Sequence, residues 1–306
     1  MPISLWFFVF TAFVFGLQLV PIIGAVLMIL GAMIWPILTV NLGFAGVALE
    51  VLSGSIHRRW LILPVIYFGG NLALAAMSHY QLWKLENRLE AVNADVTIAF
   101  DPGSVLIVNS ENTVLASMPT SLLSDFDIPI VYEKNPDGRS PIFALRMAVD
   151  PVCKRLWKAT GKQRLENMPS GYIENGKLVN GMCVSRRSET PGGSSKVTVS
   201  VSSSTSYETF LLPYEEHTIS INRDNQIVKT LIIAEARPLT WVPLPIAGCF
   251  PDTSGSNCYY ELFRIFPAMV TGGEKNLTAL MARVLGLHPG AASSRRQKIA
   301  TQSANL

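Results

Sequence analysis

The N-terminal part of the chain is apolar and uncharged, and this feature most limits what the chain can fold into. No Asp, Glu, Lys or Arg precedes Glu50, and almost every residue up to that point is apolar. A second apolar stretch, residues 61–77, follows a short polar break at His57, Arg58 and Arg59. Stretches of this length and composition are typical of segments that lie in hydrocarbon. The sequence therefore predicts a membrane-embedded N-terminal region, residues 1–80.

Three membrane-spanning helices fit the length of this region. A helix rises ~1.5 Å per residue and the hydrocarbon core is ~30 Å thick, so about 20 residues cross it. Pro21 divides the first apolar run, because proline removes a backbone donor and disfavours helical geometry in the residue before it. A four-span alternative breaks the run again near residues 36–41, but its pieces are shorter than a bilayer needs. The predicted spans are residues 3–20, 22–50 and 60–79, the second being tilted or kinked at Pro36.

Basic and aromatic residues mark both ends of the third predicted span, as expected at the two membrane interfaces. These anchors are Arg58, Arg59 and Trp60 at one end and Tyr80 and Trp83 at the other. Beyond them, apolar residues from Leu82 to Val92 recur at spacings of three and four, which predicts a stalk helix over residues 81–94. The pattern is too short to show whether the stalk packs on its own domain or forms a dimerising coiled coil.

The charges near the spans bear on which side of the membrane the rest of the chain lies. The N-terminus lacks the positively charged leading region of a signal peptide, and its apolar run continues past the usual cleavage distance, so we expect it to be retained. Arg58 and Arg59 favour a cytoplasmic loop, whereas Lys84 and Arg88 weigh against it. Short loops count for more than long domains, so the large C-terminal region is predicted to be extracytoplasmic.

All four cysteines lie outside the predicted spans. They are Cys153, Cys183, Cys249 and Cys258. An even number of cysteines in an oxidising compartment indicates disulfide bonds. Of the three connectivities, the one with the shortest loops joins Cys249 to Cys258 and Cys153 to Cys183. Four buried thiols are the alternative, because free cysteine packs as a small hydrophobic residue.

Alternating and turn-rich patterns predict an antiparallel, β-rich soluble domain over residues 95–290. Turn signals lie at residues 101–104, at Asn175 and Gly176 and at residues 223–225. Two helices interrupt the strands, one at residues 150–160 and one ending before Gly286. The predicted strands are residues 96–100, 105–108, 172–174, 177–179, 197–203, 217–222 and 226–236.

Two segments of low complexity set further limits on the domain organisation. The Ser-, Pro- and Gly-rich residues 186–196 indicate either a mobile loop or a boundary between two subdomains. Residues 291–306 are small and polar, which predicts a disordered tail. The fold class expected is therefore a membrane-anchored α+β protein, with about three transmembrane helices before a β-rich soluble domain that contains a few helices.

Motifs that would specify chemistry are weak in this sequence. Residues 192–196 resemble a phosphate-binding loop but lack its glycine and lysine spacing. His217, beside Glu215 and Glu216, is placed to act as a base for Cys183 or a serine, although a surface histidine beside acids is the commoner arrangement. The histidines are scattered and no Cys-x-x-Cys pair occurs, so no metal or cofactor site is predicted.

The function expected from this architecture is non-enzymatic. We expect an integral protein of the bacterial inner membrane, with a large periplasmic domain, acting as an accessory or scaffold subunit of an envelope-spanning assembly. Its partners would be the lipid bilayer and other membrane or envelope proteins. The net charge of +3 is too small for a nucleic-acid surface. Two other classes stay open, a periplasmic ligand-binding sensor module and an envelope hydrolase.

Overall fold

The chain of 306 residues divides into two compact units. The helical unit comprises Met1–Leu85, Tyr207–Tyr214 and Ala236–Ala268. The sheet unit comprises Glu86–Ser206, Glu215–Glu235 and Met269–Leu306. A computed structural model describes residues 2–98, 100–101, 104–109, 113–126, 128–134, 142–149, 173–174, 177–178, 182–192, 195–224, 226–252, 255–264 and 267–289. The predicted helix at residues 150–160 and the predicted tail lie outside these residues.

Four helices form the N-terminal part of the chain. Two of them are long and apolar enough to span a membrane, namely α3 with 18 residues and α4 with 36 residues. Helix α1 is apolar but shorter, with 16 residues. Three full spans are therefore supported only in part. The helices are α1 (Ile3–Gln18), α2 (Pro21–Ile29), α3 (Trp35–Leu52) and α4 (Arg58–Asn93), which contains a π-helical turn at Val65–Gly69.

The predicted second span, residues 22–50, is wrong as one continuous helix, because the chain breaks between α2 and α3. Gly31 has φ +71°, a left-handed conformation that ends helices and that glycine adopts without strain. Pro36 then lies in the first turn of α3, where a missing N–H costs nothing. Gly31 therefore follows the end of α2, and Pro36 lies at the beginning of α3. The kink predicted at Pro36 is instead the first turn of a separate helix.

Helices α1 and α3 pack side by side in antiparallel orientation. Ser4 donates from its backbone nitrogen and its hydroxyl to Glu50, at 3.1 and 2.5 Å. At the middle of the pair, the Thr11 hydroxyl donates to Thr39 at 2.6 Å. A Cβ atom on Gly43 would lie 2.7 Å from the Phe8 ring. Small residues therefore allow this close approach, as they commonly do between helices in membranes.

The sheet unit contains an eight-stranded mixed sheet, ordered β12-β9-β8-β7-β1-β2-β3-β6. The prediction of an antiparallel domain is wrong at its centre, where β1 pairs in parallel with both β2 and β7. Strands β3 and β6 continue the sheet in antiparallel pairing. The strands are β1 (Val105–Asn109), β2 (Val131–Lys134), β3 (Phe143–Val149), β6 (Met182–Ser188), β7 (Lys196–Tyr207), β8 (Tyr214–Arg223), β9 (Gln226–Ala236) and β12 (Ala268–Val270).

Two short hairpins lie outside this sheet. Strands β4 (Ile173–Glu174) and β5 (Lys177–Leu178) pair antiparallel, which confirms the hairpin predicted from Asn175 and Gly176. Strands β10 (Pro245–Asp252) and β11 (Gly255–Leu262) also pair antiparallel and belong to the helical unit. The β10–β11 hairpin was not predicted, because this segment was assigned to the soluble domain without its own strands.

Residues 96–100, predicted to form a strand, lack regular structure where the chain is described. The predicted hairpin with β1 is also wrong, because both edges of β1 are occupied by β2 and β7. Val96 and Ile98 are nevertheless buried, and the Ile98 nitrogen donates to the Val284 carbonyl at 2.7 Å. Their apolar alternation comes from burial in the core and not from strand pairing.

Alternate residues of β1 face opposite sides of the sheet, as strand geometry requires. Leu106 and Val108 enter the main core, which also receives buried side chains from α5 (Met118–Asp125) and α6 (Leu277–Val284). Val105 and Ile107 enter a smaller cluster on the other face. Helix α6 ends as predicted, since Gly286 follows it with φ +64°.

The end of helix α4 is fastened to the sheet unit by its last residue. Asn93 is fully buried, donates to the Ile232 carbonyl at 2.8 Å and accepts from the Ile232 nitrogen at 3.1 Å. The Arg283 guanidinium donates to the Asn93 and Ala94 carbonyls at 3.1 and 3.2 Å. A cation at a helix C-terminus complements the helix dipole. The helix therefore continues through the predicted stalk and ends against β9.

We expect Gly272→Ala to destabilise the sheet unit by about 2 kcal/mol or more, because positive φ disfavours a Cβ atom and the site has no room for one. Gly272 has φ +71°, and a Cβ atom there would lie 2.3 Å from the Glu90 nitrogen of α4. Thermal unfolding of the full-length protein measures the effect. Gly192→Ala is the control, since nothing lies within 4 Å of that position. Equal midpoints for the two variants would contradict this packing.

Candidate functional site

The helical unit buries several polar side chains and exposes many large apolar ones. Ser4, Gln18, Asn71 and Ser78 are all buried. This arrangement is the reverse of that in water-soluble proteins, where extended exposed apolar surfaces are rare. It suits a surface that faces lipid. Large apolar side chains that are more than 60% exposed include Ile3, Phe13, Ile22, Ile29, Leu38, Leu49, Leu52 and Ile66.

Two asparagines in the apolar helices bind the backbone of a later loop. The Asn71 side chain of α4 donates to the carbonyls of Thr240 and Trp241, each at 3.1 Å. The Asn41 side chain of α3 donates to the Pro243 carbonyl at 2.8 Å. Both asparagines therefore pair with peptide groups of a segment that lies far from them in the sequence.

Ser78 and His79 of α4 extend this set of contacts. The Ser78 hydroxyl donates to the Leu211 carbonyl at 2.7 Å and accepts from the Leu239 nitrogen at 3.0 Å. The His79 Nε2 lies 3.2 Å from the Leu239 carbonyl, to which it donates. The His79 ring also stacks on Trp241, with ring centroids 4.5 Å apart and planes 5° apart. Two loops are thus fastened to one turn of α4.

All six carbonyls of residues Leu239–Leu244 accept a hydrogen bond. We name these residues the clasped segment. Besides the four carbonyls already described, the Val242 carbonyl accepts from the Thr240 hydroxyl at 2.6 Å. The Leu244 carbonyl accepts from the Phe263 nitrogen at 2.8 Å. Such complete pairing is required where water cannot reach the backbone.

Arg264 fastens the other loop, which carries Phe210. Its guanidinium donates to the carbonyls of Phe210, Leu211 and Arg237. Partial burial lowers the pKa of the Arg264 guanidinium, and the Glu261 charge opposes that shift. Even so, an arginine stays charged at neutral pH. Phe210 itself is 68% exposed, so the loop presents an apolar side chain while its backbone is paired.

The predicted interface anchors lie near the ends of the apolar part of α4. Arg58 and Arg59 are exposed at its start, with Trp60. At the other end, Tyr80 and Trp83 are each 55% exposed and stack with ring centroids 5.9 Å apart. About 30 Å of helix separates the two sets of residues, which matches the thickness of a hydrocarbon core.

The structure brings together two of the four disulfide candidates in its strand register. Cys249 of β10 lies directly opposite Cys258 of β11. Cys183 lies on β6, opposite Ala148 of β3, and Cys153 lies outside the described residues. The predicted pairing of Cys153 with Cys183 therefore stays a prediction.

Cys183 and His217, considered above as nucleophile and base, lie far apart. Four strands separate β6 from β8 in the sheet, which at about 4.8 Å per strand places the two residues about 24 Å apart. His217 instead has a serine neighbour, because its Nδ1 lies 2.8 Å from the Ser204 hydroxyl. The Glu215 carboxylate is 3.8 Å from the same nitrogen.

The arrangement around His217 differs from that of a catalytic triad. A triad needs the nucleophile at one ring nitrogen and the carboxylate at the other. Here both neighbours face Nδ1, and the side chain of His217 is only 3% exposed. In the part of the chain that is described, the buried Nε2 has no hydrogen-bond partner. His217 therefore lies within the sheet unit without the geometry that would activate Ser204.

Arg146 of β3 and Arg186 of β6 form ion pairs within the sheet unit. Arg146 binds Glu189 through two hydrogen bonds, at 2.6 and 2.8 Å. This pairing raises the pKa of the Arg146 guanidinium and lowers the pKa of the Glu189 carboxyl, while burial opposes both shifts. Arg186 lies 3.1 Å from Glu133. Exposed pairs of this kind contribute at most about 1 kcal/mol, so they indicate local stabilisation and not a site.

Two further predictions concern bound groups. Within the described ranges, no three His, Cys, Asp or Glu side chains lie close enough together to hold a metal ion. Gly192 is exposed and Lys196 begins β7, so the segment that resembles a phosphate-binding loop precedes a strand. A phosphate-binding loop would instead precede a helix.

The role of Asn41, Asn71 and Ser78 was missed in the sequence, where polar residues in the spans had no assigned partner. A signal was present in the second half of the chain. Between Arg237 and Asp252 no charged residue occurs, and the segment contains four prolines.

Comparison with protein-family models, with curated proteins and with solved structures finds no match.

We expect Asn71→Leu to lower the thermal midpoint of the detergent-solubilised protein by about 5 °C. The reason is that two buried carbonyls would lose their donor, at a cost of about 2 kcal/mol. Asn87→Leu is the matched control, because Asn87 lies on the same helix and is exposed. If both variants unfold with the wild-type midpoint, the asparagine contacts do not stabilise the helical unit.

Proposed function

We propose that this protein is an integral protein of the bacterial inner membrane and that its sheet unit lies in the periplasm. There it acts as an accessory or scaffold subunit of an envelope-spanning assembly. The observation that supports the membrane anchor is that the helical unit buries polar side chains and exposes large apolar ones. A bilayer is the solvent in which buried Asn71 and Ser78 and exposed Ile22 and Leu49 are all favourably placed.

We propose a three-span topology, which the order of the helices supports. Helices α1 and α3 are antiparallel, and α4 turns back along α3 after the short loop at residues 53–57, so that Tyr67 stacks on Phe44. Helix α1 is about 24 Å long, which is less than the thickness of a typical hydrocarbon core. Either the bilayer is thinner around α1, or α2 completes the crossing. An odd number of crossings places the sheet unit on the side opposite the loop.

Two features support the periplasmic side. The loop between α3 and α4 carries Arg58 and Arg59, as cytoplasmic loops commonly do. Cys249 and Cys258 face each other across the β10–β11 hairpin. We propose a disulfide between this pair, which an oxidising compartment permits.

Binding to other envelope proteins is the role that the geometry favours over catalysis. The Ser204–His217–Glu215 group lacks triad geometry. Within the sheet unit, Asn93 at the end of α4 is bonded to Ile232, and a large buried apolar core makes this unit suitable as a stable domain for protein binding. The proposal thus joins a lipid-facing anchor to a stable domain for protein binding.

Sidedness is tested by labelling introduced cysteines in intact cells with a membrane-impermeant maleimide. We expect Ser202→Cys in β7 to be labelled before lysis and Ser55→Cys in the short loop to be labelled only after lysis. Both serines are exposed, and the protein with its natural cysteines alone gives the background. The opposite pattern would overturn the periplasmic placement.

The scaffold role is tested by crosslinking in intact cells followed by purification in mild detergent. Exposed Lys196 and Lys229 in the sheet unit provide reactive amines. We expect specific envelope proteins to be crosslinked to the sheet unit. Recovery of the protein alone and as a monomer, with and without crosslinker, would contradict the role.

A further inference from the structure

The clasped segment, Leu239–Leu244, combines paired carbonyls with exposed apolar side chains. Trp241 is 51% exposed and Val242 is 56% exposed. Their carbonyls accept hydrogen bonds from Asn71 and Thr240. A loop in water has no need of such pairing, because water satisfies exposed carbonyls. The combination is the one required of irregular backbone at membrane depth.

The positions of the donors indicate how deep the segment lies. Asn71 is about 20 Å along α4 from Arg58, which marks one interface. Asn41 is about 14 Å along α3 from Glu50, at the same end of the helix pair. A hydrocarbon core is ~30 Å thick. Both asparagines therefore lie inside the core, and the carbonyls that they bind lie there too.

The sequence of the segment also suits hydrocarbon. Proline has no backbone N–H, so each proline removes a donor that the bilayer could not satisfy. Charged residues are absent between Arg237 and Asp252. The Leu239 nitrogen, which does need an acceptor, donates to Ser78. The prolines of this stretch are Pro238, Pro243, Pro245 and Pro251.

The strand that follows continues along the spans. Ala247 of β10 lines a crevice together with Phe10 and Val14 of α1 and Thr39 of α3. Thr39 is bonded to Thr11, in the middle of the α1–α3 pair. The chain therefore stays in contact with α1 and α3 after Leu244.

We propose that residues Leu239–Leu244 form a non-helical, re-entrant segment, which enters the bilayer against α3 and α4 and presents Trp241 and Val242 to lipid acyl chains. The proposal rests on the membrane anchor proposed above. It assigns Asn41 and Asn71 the task of pairing carbonyls of this segment within the hydrocarbon core. Ser78 and His79, which lie next to Tyr80, pair Leu239 at the interface. Acyl chains are the occupant that fits, because the exposed surface is continuous with the apolar surface of α4 at Leu72 and Met77, which are more than half exposed.

The depth of Trp241 can be measured in vesicles that contain the full-length protein. Lipids brominated in the acyl chain quench tryptophans that lie in the hydrocarbon, and acrylamide quenches those in water. Subtracting the emission of Trp241→Phe from that of the wild type isolates Trp241, and Trp60→Phe isolates an interfacial reference. Because the Trp241 ring stacks on His79, near the interface marked by Tyr80, we expect bromines at the headgroup end of the acyl chain to quench it and acrylamide to quench it less than Trp60.

The quenching results separate the two proposals. If Trp241 is reached by acrylamide and not by bromines while Trp60 is quenched by headgroup-proximal bromines, the re-entrant segment is refuted and the anchor stands. If bromines reach neither tryptophan, the anchor itself fails. If both quenchers are excluded from Trp241, a protein surface covers it, and the assignment to acyl chains is wrong.

A charge placed on the segment provides a second test. We expect Val242→Asp to reduce the amount of protein in the membrane fraction at least threefold, because a carboxylate facing lipid is costly. Val228→Asp is the matched control, since Val228 is 42% exposed on β9 of the sheet unit. Equal amounts of the two variants would contradict contact with lipid.

Discussion

A peptide group that leaves water must find another partner, and this constraint organises the helical unit. Helices α1, α3 and α4 satisfy it internally, through their own backbone hydrogen bonds. The loops fastened to them cannot do so, and therefore use side chains that the helices supply. Asn41, Asn71, Ser78 and His79 are placed where the carbonyls of the returning chain need donors. Burying an unpaired polar side chain in an apolar helix would be unfavourable, but these hydrogen bonds make the polar residues part of the packing.

The chain returns to the helical unit twice, once between β7 and β8 and once after β9. Strands β7 to β9 are long antiparallel elements, and both the loop after β7 and the chain after β9 belong to the helical unit. The end of α4 is held by Asn93 and Arg283. Each unit thus contains segments that lie far apart in sequence, so neither can be removed by a single cut without breaking the other.

Local features of the fold were predictable where short-range chemistry decides them. The paired β8 and β9, the helix before Gly286 and the strands beside Asn175 and Gly176 all follow from alternation and turn residues. The break at Gly31 was missed, because apolar composition hides a helix end that backbone geometry determines. The parallel pairing of β1 was missed because alternation reports which face is buried and does not identify neighbouring strands.

The contacts of the candidate site could not be predicted from local patterns at all. Asn71 and Trp241 are separated by 170 residues, and no periodicity links them. The charge-free, proline-rich stretch after Arg237 indicated an unusual environment, but only the structure shows which donors it meets. Burial with reversed polarity is likewise a property of the packed helices, since a sequence shows composition and not which side faces inward.

Extraction of native membranes with alkaline carbonate tests the central claim most directly, because it removes peripheral proteins and leaves those that span the bilayer. The account predicts that the full-length chain stays entirely in the pellet and is released only by detergent. Release of the intact chain into the carbonate supernatant would show that the apolar exterior of the helical unit does not lie in a bilayer.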